Sequence, residues 1–228
     1  MRHIAPHPEP PELAAARPTL PSHWKQISIP VKHAIRDRLY LHQFGLCGYC
    51  EGSLAELKRH IEHVEPKGGI AGNPSRTFDY SNLIVSCQGD TDKPKSAGQD
   101  ASCGHFKDHF IVAKGAFAHA DFISPREAGC DNKFTYLHDG RIVPKAAAGT
   151  PDHTRADYTI KVVGLDCNRL RNRRRKIAEK HIRQIARFQS SPAALQQLVN
   201  HYLGTHADTS GGSVLLPFYS TRKQRFIP

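Results

Sequence analysis

The chain has 228 residues, with 32 lysines and arginines against 21 acidic residues and a formal net charge of +11. That balance points to an anionic partner, and nucleic acid stands ahead of an anionic membrane surface because no basic amphipathic helix lies beside a lipidation signal. A hydrophobic content of 39% suits a soluble protein with a modest core; no apolar run reaches membrane-spanning length and the N-terminus lacks the apolar segment of a signal peptide, so the expected compartment is the cytoplasm. In that reducing setting six cysteines serve as metal ligands or core residues rather than as disulfides.

Residues 1–23 carry Pro6, Pro8, Pro10, Pro11, Pro18 and Pro21. They are expected to run as an extended arm, which Trp24 anchors to the core. Val31, Ala34, Ile35, Leu39, Leu41 and Phe44 recur at helical spacing over 31–45, with Gly45 as the stop. A Cys-x-x-Cys turn occupies 46–52, and 54–60 reads as a short helix or loop. Ile61 to Glu65 is expected as a strand ended by Pro66, 68–81 as a loop, and Leu83 to Ser86 as a second strand. Residues 88–102 are polar and expected to be flexible. From Gly104 to about Phe117 the pattern turns helical, which makes strand, strand and helix a ββα unit.

Further on, 133–143 reads as a hairpin with its turn at Asp139-Gly140. Residues 144–156 are expected as a loop and Tyr158 to Val163 as a strand. Leu165 to Phe188 is the longest predicted helix, with Leu170, Ile177, Ile182, Ile185 and Phe188 broadly on one side and an arginine-rich face on the other. A helix follows from Pro192 to about Tyr202, and the tail from Thr205 is read as loop, ending in Arg222-Lys223-Gln224-Arg225. The chain thus divides into an arm and helix over 1–45, a central core over 46–120, and a hairpin with a basic helical region over 121–228.

Chemistry concentrates in the centre. Cys47, Cys50, Cys87 and Cys103 suit a tetrahedral structural zinc, because a Cys-x-x-Cys turn presents two thiolates to one ion and a strand end and helix start can bring two more. Plain buried thiols and a redox dithiol are the rival readings; Cys130 and Cys167 are expected in the core. Between the pairs lies Glu62-His63. A neutral imidazole can take a proton from water, and a carboxylate beside it can hold a divalent ion. His105 and His109 are four apart, so they share a helix face that can complete the metal site. The Asn82 amide is placed to bond the backbone near His63 and fix its ring. Lys67, Lys107 and Arg59 are candidate phosphate contacts, as are Arg171, Arg174 and Arg175 on the basic helix; docking of that helix on an acidic partner subunit is the equal alternative.

Taken together, Gly45-Leu46-Cys47-Gly48-Tyr49-Cys50-Glu51, His60-Ile61-Glu62-His63-Val64-Glu65-Pro66-Lys67, Tyr80-Ser81-Asn82-Leu83, Ser86-Cys87 and Cys103-Gly104-His105-Phe106-Lys107 resemble the HNH endonucleases. The pattern is most similar to the PtuB-like nuclease subunits of Septu and retron-associated antiphage systems. Leu165-Asp166-Cys167-Asn168-Arg169-Leu170, leading into the basic helix, is similar too. The resemblance implies an α+β protein whose ββα-metal core wraps a structural zinc held by the four cysteines, embedded in flanking helices and a small hairpin. It implies His63 as general base, Asn82 as the middle residue of the motif, and a catalytic divalent ion, Mg2+ first, held from Glu62 and the last helix. It also implies an ATPase partner subunit. Glu62 stands where many HNH proteins carry Asp or His. Gly104 follows the fourth cysteine where many carry the last ligand, which leaves His105, alone or with His109, for that role. The expected function is metal-dependent DNA cleavage in antiphage defence; a non-catalytic zinc-stabilised nucleic-acid-binding module and an HNH RNase are the alternatives.

Overall fold

The computed structural model describes residues 1–69, 72–87, 101–209 and 211–227. The polar stretch expected to be flexible lies outside the described residues from 88 to 100. Seven α-helices and three two-stranded antiparallel pairs make up the described chain, a mixed α+β architecture. Among the described residues no helix is long and apolar enough to cross a membrane.

Helix α1 spans Pro11–Ala16 and α2 spans Ile29–His42. Pro11 stands in the first turn of α1, where its missing N–H is no loss and its fixed φ fits the helix. The arm expected over 1–23 is therefore partly helical. α2 buries Val31, Ile35 and Leu39 and stops at His42; Phe44 and Gly45 then take left-handed φ of 53° and 71° to turn the chain toward the first cysteine pair.

Strand β1 runs Arg59–His63 and pairs antiparallel with β2, Leu83–Cys87, from Arg59 opposite Cys87 to His63 opposite Leu83. β1 begins and ends two residues earlier than its sequence pattern suggests. All five residues of β2 are buried. Helix α3, Cys103–Lys114, packs on β2 and ends where Gly115 takes φ 66°. Gln43 holds α2 to this pair: its side chain donates to Leu46 O and Val85 O, both at 2.8 Å, and accepts from Val85 N at 2.6 Å, with 1% of the residue exposed.

The second half opens with the expected hairpin, β3 (Phe134–Tyr136) against β4 (Ile142–Pro144). The loop expected over 144–156 and the strand expected over 158–163 give way to one helix, α4, Pro151–Val162. Thr150 caps it by accepting from His153 N at 3.2 Å, and Pro151 opens it. The buried Ala156, Thr159, Ile160 and Val163 recur at helical spacing, so packing overrides the strand preference of β-branched residues. Helices α5 (Asn168–Phe188) and α6 (Pro192–Leu203) follow.

The tail expected as loop forms β5 (His206–Ala207) with β6 (Ser213–Val214) and then α7, Tyr219–Phe226. Buried Glu51 accounts for the start of α7: it accepts from Ser220 N at 2.7 Å and Ser220 Oγ at 2.6 Å, the place where a helix dipole favours a carboxylate. The Met1 ammonium meets the same carboxylate at 3.0 Å. One apolar core takes Leu13, Leu39, Leu83, Ile84, Phe134, Ile160 and Leu170 from all parts of the chain.

Gln43→Leu keeps the volume and removes three buried hydrogen bonds to backbone. It is expected to lower the unfolding free energy by about 2–4 kcal/mol, read from urea denaturation.

Candidate functional site

Three elements deliver the cysteines. The turn after α2 carries Cys47 and Cys50, β2 ends on Cys87, and α3 begins on Cys103, which takes a left-handed φ of 65°. The sulfurs stand 3.8 Å apart for Cys47–Cys103, 3.7 Å for Cys50–Cys87 and 3.6 Å for Cys87–Cys103, all buried. A tetrahedron with metal–sulfur bonds of about 2.3 Å has edges of about 3.8 Å. Two backbone amides point at sulfur, Gly52 N to Cys50 and Cys87 N to Cys47, each at 3.3 Å. The thiols divide the charge among themselves: the Cys103 thiol is pushed well up, first by Cys47 beside it, while at Cys47 burial is outweighed by bonds from Cys103, Cys50 and Cys87, which bring its thiol well down. The set fits a metal such as zinc. Cys130 is buried and Cys167 half-buried, and neither joins the set.

His63 closes β1 with 4% of its surface exposed. Its Nε2 lies 2.9 Å from Thr77 O. A carbonyl only accepts, so Nε2 carries the proton and Nδ1 keeps its lone pair. Lys67, itself exposed, brings its Nζ to 3.5 Å from Nδ1. Burial, then the Lys67 charge, pushes the ring's pKa down to about 4, so the imidazole is neutral at pH 7. Trp24, expected only as the anchor of the arm, packs edge-on against this ring at 4.8 Å and against Phe78 at 5.8 Å.

Asn82 bonds to the backbone of two segments. Its Oδ1 accepts from Glu65 N at 2.8 Å, and its Nδ2 donates to Glu65 O at 3.0 Å and Arg76 O at 3.2 Å. The amide thus joins the chain just after His63 to the residue before Thr77, whose carbonyl orients the ring.

Glu62, 5% exposed, points into the protein. One oxygen meets Lys107 Nζ at 2.5 Å and the other His60 Nε2 at 3.3 Å. Burial alone raises this carboxyl; the Lys107 charge and the His60 bond outweigh it and hold it at about 2. Lys107 is 1% exposed and also donates to His63 O and to Val64 O, the latter at 3.0 Å. It is the counterion of Glu62 and does not face solvent, which corrects its assignment as a phosphate contact: an ammonium satisfied by a carboxylate and two carbonyls has no donor to spare.

His60 joins this cluster although its sequence position does not mark it as a site residue. Its ring stacks on that of His105, with centroids 4.7 Å apart. A signal exists, since positions 60 and 62 are two apart on a strand and so share a face. Gly104 fits here because a Cβ would stand 2.6 Å from Glu62 Oε2 and 2.7 Å from His60 Nε2. His109 is exposed one turn along α3. Among the described residues, the four cysteines are the one group of three or more ligand side chains gathered within 4.8 Å; Glu62, His105 and His109 do not form a second.

The candidate contacts on α5 divide. Arg175 is exposed and pairs with Glu179 at 3.1 Å, and Arg171 pairs with Asp166 at 2.5 Å. Arg174 is 1% exposed, donates to Gly140 O at 3.0 Å and to Leu165 O, and lies over the Tyr136 ring. It staples α5 to the β3–β4 hairpin and cannot reach a phosphate, a second correction to the expected contacts.

No protein-family model matches the chain. Among curated proteins it is 32% identical over 152 residues, 67% of each chain, to the "Retron Vc95 putative HNH endonuclease" of Vibrio cholerae serotype O1 biovar El Tor. It is 27% identical over 169 residues to the "Retron Ec83 putative HNH endonuclease" of Escherichia coli, spanning 64% of this chain and 63% of that one.

Elemental analysis of the purified protein is expected to find about one zinc per chain, and Cys87→Ala to lose both the metal and the cooperative unfolding transition seen by circular dichroism. In an NMR titration the His63 ring is expected to protonate near 4 rather than at its ordinary 6.5. Stability from its neutral form is therefore full above 6.5 and lost as pH falls toward 4. Trp24→Ala, which lets water reach the ring, moves that midpoint upward.

Proposed function

The chain belongs to the HNH endonucleases of retron type, and from that premise we propose that it hydrolyses DNA with His63 as general base, on a ββα-metal core braced by a structural zinc. The observation that carries this reading is the Nδ1 lone pair of a neutral imidazole, oriented through Thr77 O and set beside the exposed Lys67. His63 Nδ1 takes a proton from water, which attacks phosphorus in line. Lys67 meets a non-bridging oxygen of the same phosphate. Asn82 keeps the two backbone segments that orient the ring from drifting apart.

The donors suited to a catalytic divalent ion are Glu62 and His105, with His60 beside them. Lys107 and His60 hold Glu62 ionised and occupy its two oxygens, so an ion bound from Glu62 and His105 would take the place of that pairing; carboxylate and imidazole are donor types that suit a divalent cation. Such an ion, Mg2+ or a softer one, would supply positive charge for the departing 3′ oxygen. Products then carry 5′-phosphate and 3′-hydroxyl ends. The resemblance of the sequence motifs to the PtuB-like nuclease subunits supports an effector role in antiphage defence, with an ATPase subunit as partner.

His63→Ala is expected to reduce plasmid nicking by at least about 100-fold while leaving zinc content and circular dichroism unchanged. The assay is run with the ATPase subunit supplied and with each of several divalent ions. A wild-type protein that cuts neither DNA nor RNA under any of them would sink the proposal.

A further inference from the structure

We propose that the solvent face of α5 is a binding track for a phosphodiester backbone, made by Lys176, Lys180, Arg183 and Arg187. It rests on the nuclease reading only for which polyanion the protein meets. All four side chains are exposed. They follow one another at four, three and four residues, so they share one face of the helix. The opposite face buries Leu170, Arg174, Ala178 and His181. The stripe is about 16 Å long, with successive cations about 5 Å apart along the axis.

Among the described residues no carboxylate neutralises it. Glu179 is the one acidic residue between Asp166 and Asp208, and Arg175 takes it at 3.1 Å. Lys180 lies over the Tyr202 ring and Arg187 over that of Phe188, at 5.5 Å each, contacts that support the side chains without cancelling their charge. Like charges repeated along a helix repel one another. A polyanion relieves that repulsion along the whole stripe at once. Protein interfaces, by contrast, are built around an apolar centre. The large exposed apolar residue of α5 is Ile182, which projects from a different side of the helix. The observations therefore favour a nucleic-acid backbone over an acidic protein. They also move the contact from Arg171, Arg174 and Arg175 to the face further along the helix.

The test uses the full chain carrying H63A, so that nothing is cut. Fluorescence anisotropy measures binding to a labelled DNA duplex, the matching RNA duplex and poly-glutamate over a salt series. K176Q/K180Q/R183Q/R187Q is expected to weaken binding at least about tenfold near 0.1 M salt, and to flatten the slope of log K against log salt by about 3.6, which is about 0.9 for each of four phosphates no longer neutralised. R38Q/R141Q/K145Q/K161Q removes four exposed cations elsewhere and is expected to change the slope far less. An effect on DNA, RNA or both supports the track and identifies its strand. Equal effects from the two variants, an unchanged slope in the first, or an equal loss on poly-glutamate and nucleic acid overturns it. Should the fourfold variant not fold, R183Q and R187Q singly, each expected to flatten the slope by about 0.9, decide the matter. Cleavage by the wild type is scored apart: binding through the stripe without cutting defeats the nuclease reading alone, and cutting with stripe-independent binding defeats the track alone.

Discussion

The convergence of four sulfurs from three separate elements is the constraint on which the rest of the structure depends. Cys47 and Cys50 come from the turn after α2, Cys87 from the end of β2 and Cys103 from the start of α3. The end of β2 and the start of α3 thereby meet at one cluster of sulfurs. Because β1 is registered on β2 residue by residue, fixing α3 against β2 also fixes it against β1. That is how Lys107, one turn into α3, arrives beneath Glu62 and the carbonyls of His63 and Val64.

Desolvation then sets the chemistry. The Glu62–Lys107 pair is buried on both sides, and removing one partner of such a pair costs about 3–5 kcal/mol because the other charge is left unpaired. Burial opposes the charged form of His63 as it does that of Glu62, but here the neighbours are Trp24, a carbonyl and a lysine, and none supplies a compensating negative charge as Lys107 supplies a positive one to Glu62. Burial disfavours its charged form, so the ring stays a base at pH 7. Two adjacent residues thus hold opposite states, an ionised carboxylate and an uncharged imidazole, through different partners on the two faces of one strand.

The basic helix shows the same residue type in two roles. Arg174 falls on the buried phase of α5 and bonds two carbonyls, while Arg183 and Arg187 fall on the opposite phase and meet solvent. Helical phase separates structural from available charge, since a guanidinium that serves buried carbonyls has no freedom to follow a ligand. Counting arginines overstates the accessible charge near the start of α5 and understates it near the end, where Lys180 completes a regular stripe.

Local pattern was enough to mark the four cysteines as one set, to single out Glu62, His63 and Asn82 as candidates, and to give the strand–strand–helix order and the long basic helix. Each rests on local periodicity or on spacing that one ligand type demands. Contacts made in the folded chain turned 158–162 into helix, since the buried face of Ala156, Thr159 and Ile160 packs only at helical spacing while the β-branched residues alone favour a strand. Tertiary structure alone brought α7 to the Glu51 carboxylate, 169 residues away in sequence, Trp24 onto His63, and Lys107 and Arg174 inside. A side chain's periodicity says which face it occupies; whether that face meets solvent or another part of the chain depends on contacts between distant residues, and no local pattern records them.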